Sequence, residues 1–158
     1  MTGWAGDTGS AVLAEHYREE LMERLTPSFL NRLKEIKAQE MPAEGECMIP
    51  IGSGGVFAAL WQLAKESGMG IAVDMEQIPI RQETIEVCEL LEVNPYQLQS
   101  GGYLYLRPSG ANILDKEEFS GVVIGVVHSG KDKAIRCKEG IRYINRPEPD
   151  ELERLGIL

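Results

Sequence analysis

The chain has 158 residues, 43% of them hydrophobic and 26% charged, which suits one soluble globular domain, residues 1–158, with a core of its own and leaves little room for a second. Sixteen Lys and Arg stand against 25 Asp and Glu, a formal net charge of -9. That balance repels nucleic acid and anionic membrane surfaces, so neither is expected as a partner, and any phosphate site must be made by local geometry. Cys47, Cys88 and Cys137 are odd in number and widely spaced, with no metal-ligand pattern, as expected of reduced thiols in cytoplasm. No apolar run approaches the ~18 residues that span a bilayer, and the N-terminus lacks the basic and apolar regions of a signal peptide.

In chain order, Ser10 is a candidate N-cap for an amphipathic helix carrying Val12, Leu13, Tyr17, Leu21 and Leu25 on one side. Thr26-Pro27 resets the chain for a second helix with Phe29, Leu30, Leu33 and Ile36, so two helices fill residues 10–39. Met41 to Cys47 reads as loop. A glycine-rich segment, Ile49-Pro50-Ile51-Gly52-Ser53-Gly54-Gly55, then runs into a third helix whose inward residues are Val56, Ala59, Leu60, Leu63 and Ala64 and which Gly68 and Gly70 end.

Ile71 to Met75 is a short strand, Ile78-Pro79-Ile80 is extended, and a fourth helix with Ile85, Val87, Cys88 and Leu91 inside stops at Asn94-Pro95. Gly101-Gly102 precedes a strand from Tyr103 to Leu106. Pro108-Ser109-Gly110 is a turn and Leu114 to Phe119 a short helix. The uniformly apolar run Val122 to Val127 suggests a strand buried on both faces, the best candidate for the centre of a sheet. Lys133 to Cys137 and Gly140 to Ile144 form a closing hairpin, and Pro147 to Leu158 is an acidic tail.

The segment at Ser53, Gly54 and Gly55 has the makings of an anion site, because a helix start exposes unpaired N–H groups and glycine lets a phosphate approach them closely. A tight turn that packs the helix explains the same residues. Ser100 and Gly101 open a second small segment with the same two readings. No side chain in either segment is fit for acid/base work, so no catalytic residue is assigned. His16 and His128 lie far apart and no metal site is expected. Asp74 and Glu76 would point the same way on a strand, where they could meet a cation or a ribose hydroxyl, but a solvated strand edge is the favoured reading. Capping of the fourth helix is favoured for Glu83, and Arg81 is open between capping and a surface that meets a partner domain.

Gly54-Gly55-Val56-Phe57-Ala58-Ala59-Leu60-Trp61, Ile78-Pro79-Ile80-Arg81-Gln82-Glu83-Thr84, Cys88-Glu89, Asn94-Pro95-Tyr96-Gln97-Leu98, Gly125-Val126-Val127 and Asp150-Glu151-Leu152 occur in the order found in a known family. Taken together they resemble the C-terminal domain of the aminoimidazole ribonucleotide (AIR) synthase superfamily, within it the AIR-synthase-related group that includes hydrogenase maturation factors of the HypE type. The resemblance implies an α/β fold: a three-layer α/β/α domain with a mixed sheet and partial ferredoxin-like topology. It also implies an N-terminal half that holds ATP and Mg2+, which this sequence lacks, and for this half a role near a phosphorylated small molecule. Relatives commonly carry a His-Asp-x-Thr-x-Gly-Gly sequence at the loop, where this chain has Ile49, Pro50, Gly52 and Ser53. Two functions are therefore expected as alternatives. One is the C-terminal domain of an ATP-dependent protein, inactive alone; the other is a degenerate module that pairs as a homodimer or with a partner.

Overall fold

The computed structural model describes residues 1–36, 38–42, 45–107 and 121–158. The turn and short helix expected at 108–119 lie outside the described residues. Helix α1 spans Asp7–His16, α2 Arg18–Leu21 and α3 Pro27–Asn31, the last running into a 3-10 turn over Arg32–Glu35. Thr26 caps α3 as its sequence suggests, accepting a hydrogen bond from the Phe29 N–H at 3.3 Å with Pro27 in the first turn. Ser10 does not cap α1. The helix starts three residues earlier behind Gly6, and the buried Ser10 hydroxyl bonds the Asp7 carbonyl and the Thr84 hydroxyl instead.

Strand β1 (Glu46–Gly52) occupies part of the stretch read as loop. The proline at position 50 and the short spacing of its apolar residues hide it, yet Ile49 and Ile51 alternate into the core in the manner of a strand. Helix α4 (Gly55–Ser67) follows at once and ends on Gly68 in the left-handed conformation. β2 covers Gly70–Asp74, α5 Gln82–Leu91 and β3 Ser100–Leu106, so Gly101 and Gly102 lie inside the third strand rather than before it. β4 (Gly125–His128), β5 (Lys133–Cys137), β6 (Gly140–Tyr143) and the short α6 (Glu151–Arg154) complete the chain.

β1 and β3 pair antiparallel. The other four strands form a mixed sheet in the order β4-β2-β5-β6, with β2 parallel to β5 and antiparallel to β4. The N-terminal residues stitch the two sheets. The Thr2 N–H donates to the Tyr103 carbonyl at 2.9 Å, and the Val122 N–H donates to the Met1 carbonyl at 2.8 Å. The mixed α/β class implied by the sequence holds.

The apolar run at 122–127 is not central. β4 is an edge strand beside β2, and Val123 and Val126 are 63% and 65% exposed. β2 and β5 take the middle, sending Ile71, Val73 and Ile135 inward. Hydrophobicity marks a segment as able to be buried, but neighbours on both sides decide whether it is.

Two apolar clusters result. The larger gathers Val56, Ala59, Leu60 and Leu63 of α4 with Ile49, Ile51, Ile71, Val73, Leu104 and Ile135 of the strands. The smaller joins Leu13, Leu21, Leu30, Leu33, Val87, Cys88 and Leu98 with Leu152 of α6. The C-terminal segment is therefore no solvated acidic tail: Asp150, Glu151 and Leu152 are all buried.

Candidate functional site

β1 and β3 bring the two glycine segments together, because Gly52 pairs with Ser100 across the ladder. Ser53-Gly54-Gly55 and Ser100-Gly101, nearly fifty positions apart in sequence, thus share one end of the hairpin-like pair. Gly54 and Gly55 both have positive φ, 84° and 71°, a region costly to residues with a Cβ. At Gly55 the reason is also spatial, since a Cβ there would lie 2.5 Å from the Tyr96 carbonyl oxygen and 2.7 Å from that of Leu98. Ser53 alone of the three is exposed.

One N–H group in each segment is held by a carboxylate of the chain itself. The buried Gly54 N–H donates to Asp150 Oδ2 at 2.7 Å, while Asp150 Oδ1 accepts the Leu152 N–H at 2.9 Å and so caps α6. The Gly101 N–H donates to Asp7 Oδ1 at 2.8 Å; the same oxygen takes the Thr8 N–H at 2.6 Å. Asp7 opens α1, where the positive end of the helix favours a negative charge. Ser100 is spent inward as well. Its hydroxyl accepts the Gly6 N–H at 2.7 Å and donates to the Leu98 carbonyl at 2.8 Å.

Asp7 and Asp150, 1% and 2% exposed, are the residues that reading the sequence missed. The signal for Asp150 was local: an aspartate directly before Glu151-Leu152-Glu153-Arg154 is a helix N-cap pattern, and an acidic cap need not be solvated. Its reach to Gly54 was not local at all.

The other polar residues fall to structural duties. Asp74 caps a 3-10 turn by accepting the Glu76 N–H at 3.1 Å and pairs with Arg136 at 2.5 Å; that bond holds its carboxyl below the usual carboxylate range. Glu83 sits between Arg32 and Arg81, at 3.6 and 3.8 Å. Arg81 also lines a cleft of about 520 Å³ with Trp4, Ile36 and Ile80. Phe57 of α4 stacks on Tyr96, ring centroids 5.4 Å apart, and burial raises the Tyr96 phenol above its ordinary value. Cys88 is packed, its thiol pushed up to about 12 by burial and then by the nearby Glu151. Among the described residues no group of three or more His, Cys, Asp or Glu is placed to hold a metal ion.

The pattern that defines the family "AIR synthase related protein, C-terminal domain" matches residues 7–138. The chain belongs to this family. Carbamoyl dehydratase HypE of Rhizobium leguminosarum bv. viciae is 29% identical over 117 residues, which cover 71% of this chain and 33% of that protein. Among solved structures, E. coli HypE superposes with a TM-score of 0.66 at 21% identity over 97% of this chain and 50% of its own. HypE in complex with ATP gives 0.67 at 17% identity, covering 94% and 50%. Thiamine monophosphate kinase from Aquifex aeolicus gives 0.52 at 24%, covering 82% and 46%. The chain spans about half the length of these structures, and their likeness carries the fold.

Proposed function

We propose that this chain acts as the C-terminal half of an ATP-dependent protein of the HypE type, furnishing one wall of a ligand cleft whose nucleotide- and Mg2+-holding half lies in another domain. The observation that carries the reading is the pairing of Gly52 with Ser100, which sets Ser53, Gly54, Gly55, Ser100 and Gly101 on one rim. Gly54 and Gly101 already bond Asp150 and Asp7, so among the described residues the exposed Ser53 hydroxyl is the side-chain group on that rim left to meet a phosphorylated small molecule. The carboxylates that reach this rim, Asp7 and Asp150, are buried and taken up by backbone N–H groups, and the chain alone is expected to be inactive. Trp4 and Arg81, which line a cleft of about 520 Å³, suit contact with the nucleotide-holding half.

A second reading, a non-catalytic module that pairs with another copy or a partner, is favoured by one observation. Where the family commonly has polar loop residues this chain has Ile49, buried in the core, and a Gly54 N–H closed by Asp150.

Calorimetric titration of the chain with inorganic phosphate, the group this rim would meet, separates the two, with ATP and magnesium, which the other half would hold, as the comparison. Saturable heat that Ser53→Glu abolishes supports the cleft wall. Ser53 is the better site for this variant than Gly54, whose added Cβ would meet that of Ala58 at 2.7 Å on a backbone with φ 84°. No heat from a folded sample, with a dimer by light scattering, supports the module instead.

A further inference from the structure

Residues 131–146 run against the charge of the whole chain. They hold six Lys and Arg and two Asp and Glu, a net of +4 within a protein of -9. Five of the six are exposed, and among the described residues four of these, Lys131, Lys138, Arg142 and Arg146, are in no ion pair. This basic stretch is the β5-β6 hairpin, and β6 ends the sheet. Every residue of β6 is exposed, including Ile141 at 66% and Tyr143 at 64%.

The backbone of that edge is open too. The Ile144 N–H donates to the Lys133 carbonyl on β5 at 2.7 Å, so by the alternation of an antiparallel strand Ile141 and Tyr143 turn their N–H and C=O groups away from β5. The Tyr143 side chain continues an apolar row on the outer face, while Ile141 stands beside Arg136 and Asp74. By register, Val126, Ala72, Ala134 and Tyr143 stand side by side across the four strands. An edge with amides unpaired among the described residues, two large apolar side chains and a positive surplus that the one nearby Glu139 does not cancel fits one kind of occupant.

We propose that β6 docks an extended acidic segment of a partner protein, which adds as a fifth strand to the sheet β4-β2-β5-β6. Backbone amides of Ile141 and Tyr143 supply hydrogen bonds, Ile141 and Tyr143 supply apolar contact, and Lys138 and Arg142 select acidic side chains. The same charges exclude a second copy at this edge. Pairing β6 with its own counterpart would set one 131–146 stretch of +4 against another, and like charges placed opposite each other on strands are destabilising. The proposal is independent of the ligand cleft, which lies on the β1-β3 pair.

The test uses the full chain and a short fluorescein-labelled peptide of alternating glutamate and valine. Its controls are a glutamine and valine peptide, a single-stranded oligonucleotide and vesicles containing phosphatidylserine. Saturable binding of the acidic peptide is expected, weakened by added salt and reduced about tenfold or more in the double variant Lys138→Glu, Arg142→Glu. Hydrogen exchange on the parent chain gives a second readout that needs no variant: the peptide slows exchange at Ile141 and Tyr143. Equal binding of the glutamine peptide, full binding by the double variant, or unchanged exchange at those two amides overturns the proposal. Preference for the oligonucleotide or the vesicles overturns it too, and assigns the basic edge to that partner.

Discussion

The Gly54 N–H donates to the Asp150 carboxylate at 2.7 Å across 96 residues of sequence, both groups buried. An anion does sit at the glycine-rich start of α4, and it is the protein's own. Asp150 is fixed in turn by α6, whose Leu152 is fully buried in the smaller apolar cluster. The loop is thereby tied to the C-terminal segment, and a phosphate that used the Gly54 amide would have to displace a buried carboxylate.

Removing that carboxylate orphans two donors at once, Gly54 N–H and Leu152 N–H. Asp150→Ala is expected to cost roughly 2–6 kcal/mol, at about 1–3 kcal/mol for each buried donor left unmet. Asp150→Asn, which keeps an acceptor oxygen, should cost less. Urea unfolding of the three proteins measures the difference, and equal stabilities would mean that the contact contributes nothing.

The two kinds of glycine in the chain should respond differently to alanine. At Gly55 the new Cβ meets backbone at 2.5 Å, and backbone cannot rotate away; at Gly68, with φ 68°, it meets nothing within 4 Å. Gly68→Ala should lose only about 1–2 kcal/mol from its left-handed conformation. Gly55→Ala should lose clearly more or fail to accumulate as soluble protein. Thermal melts on both variants check this, and a Gly55→Ala protein as stable as Gly68→Ala would contradict the packing.

Cys88 should be silent toward thiol reagents. Its pKa of about 12 leaves almost no thiolate near neutral pH, and the side chain is enclosed. Cys47 and Cys137 are partly exposed. Iodoacetamide followed by mass spectrometry is expected to label those two in the native protein and Cys88 only after denaturant is added.

Asp74 and Arg136 give a pH dependence of definite sign. The Asp74 pKa is lowered in the folded protein, first by its hydrogen bond from Arg136, so the unfolded chain binds the proton more readily. Its contribution is present above the ordinary carboxylate range and lost as pH falls through the lowered value. Arg136→Gln should therefore melt below the parent near neutral pH, with the gap closing well below about pH 4. A gap that persists in acid would assign the loss to the packing of the Arg136 stem.

Local chemistry was enough for several elements. Thr26-Pro27, the spacing from Val56 to Ala64 with Gly68 behind it, and the alternation around Glu139-Gly140 each carry their own start, face or stop, so α3, α4 and the β5-β6 hairpin are legible in order along the chain. The ordered motifs from Gly54 to Leu152 identified the family for the same reason, since they are short-range patterns repeated in register with relatives.

Partners distant in sequence decided the rest. Nothing between Val122 and Val127 says whether a strand will find one neighbour or two; the pairing of β2 with both β4 and β5 put that apolar run at the edge. Ser53 to Gly55 and Ser100 to Gly101 read alike as anion loops, because an exposed helix start and one sealed by a remote carboxylate have the same local sequence. Only the folded chain brings Asp150 to Gly54 and Asp7 to Gly101. Backbone conformation is written in neighbouring residues, whereas the identity of a hydrogen-bond partner depends on which distant surfaces packing brings into contact.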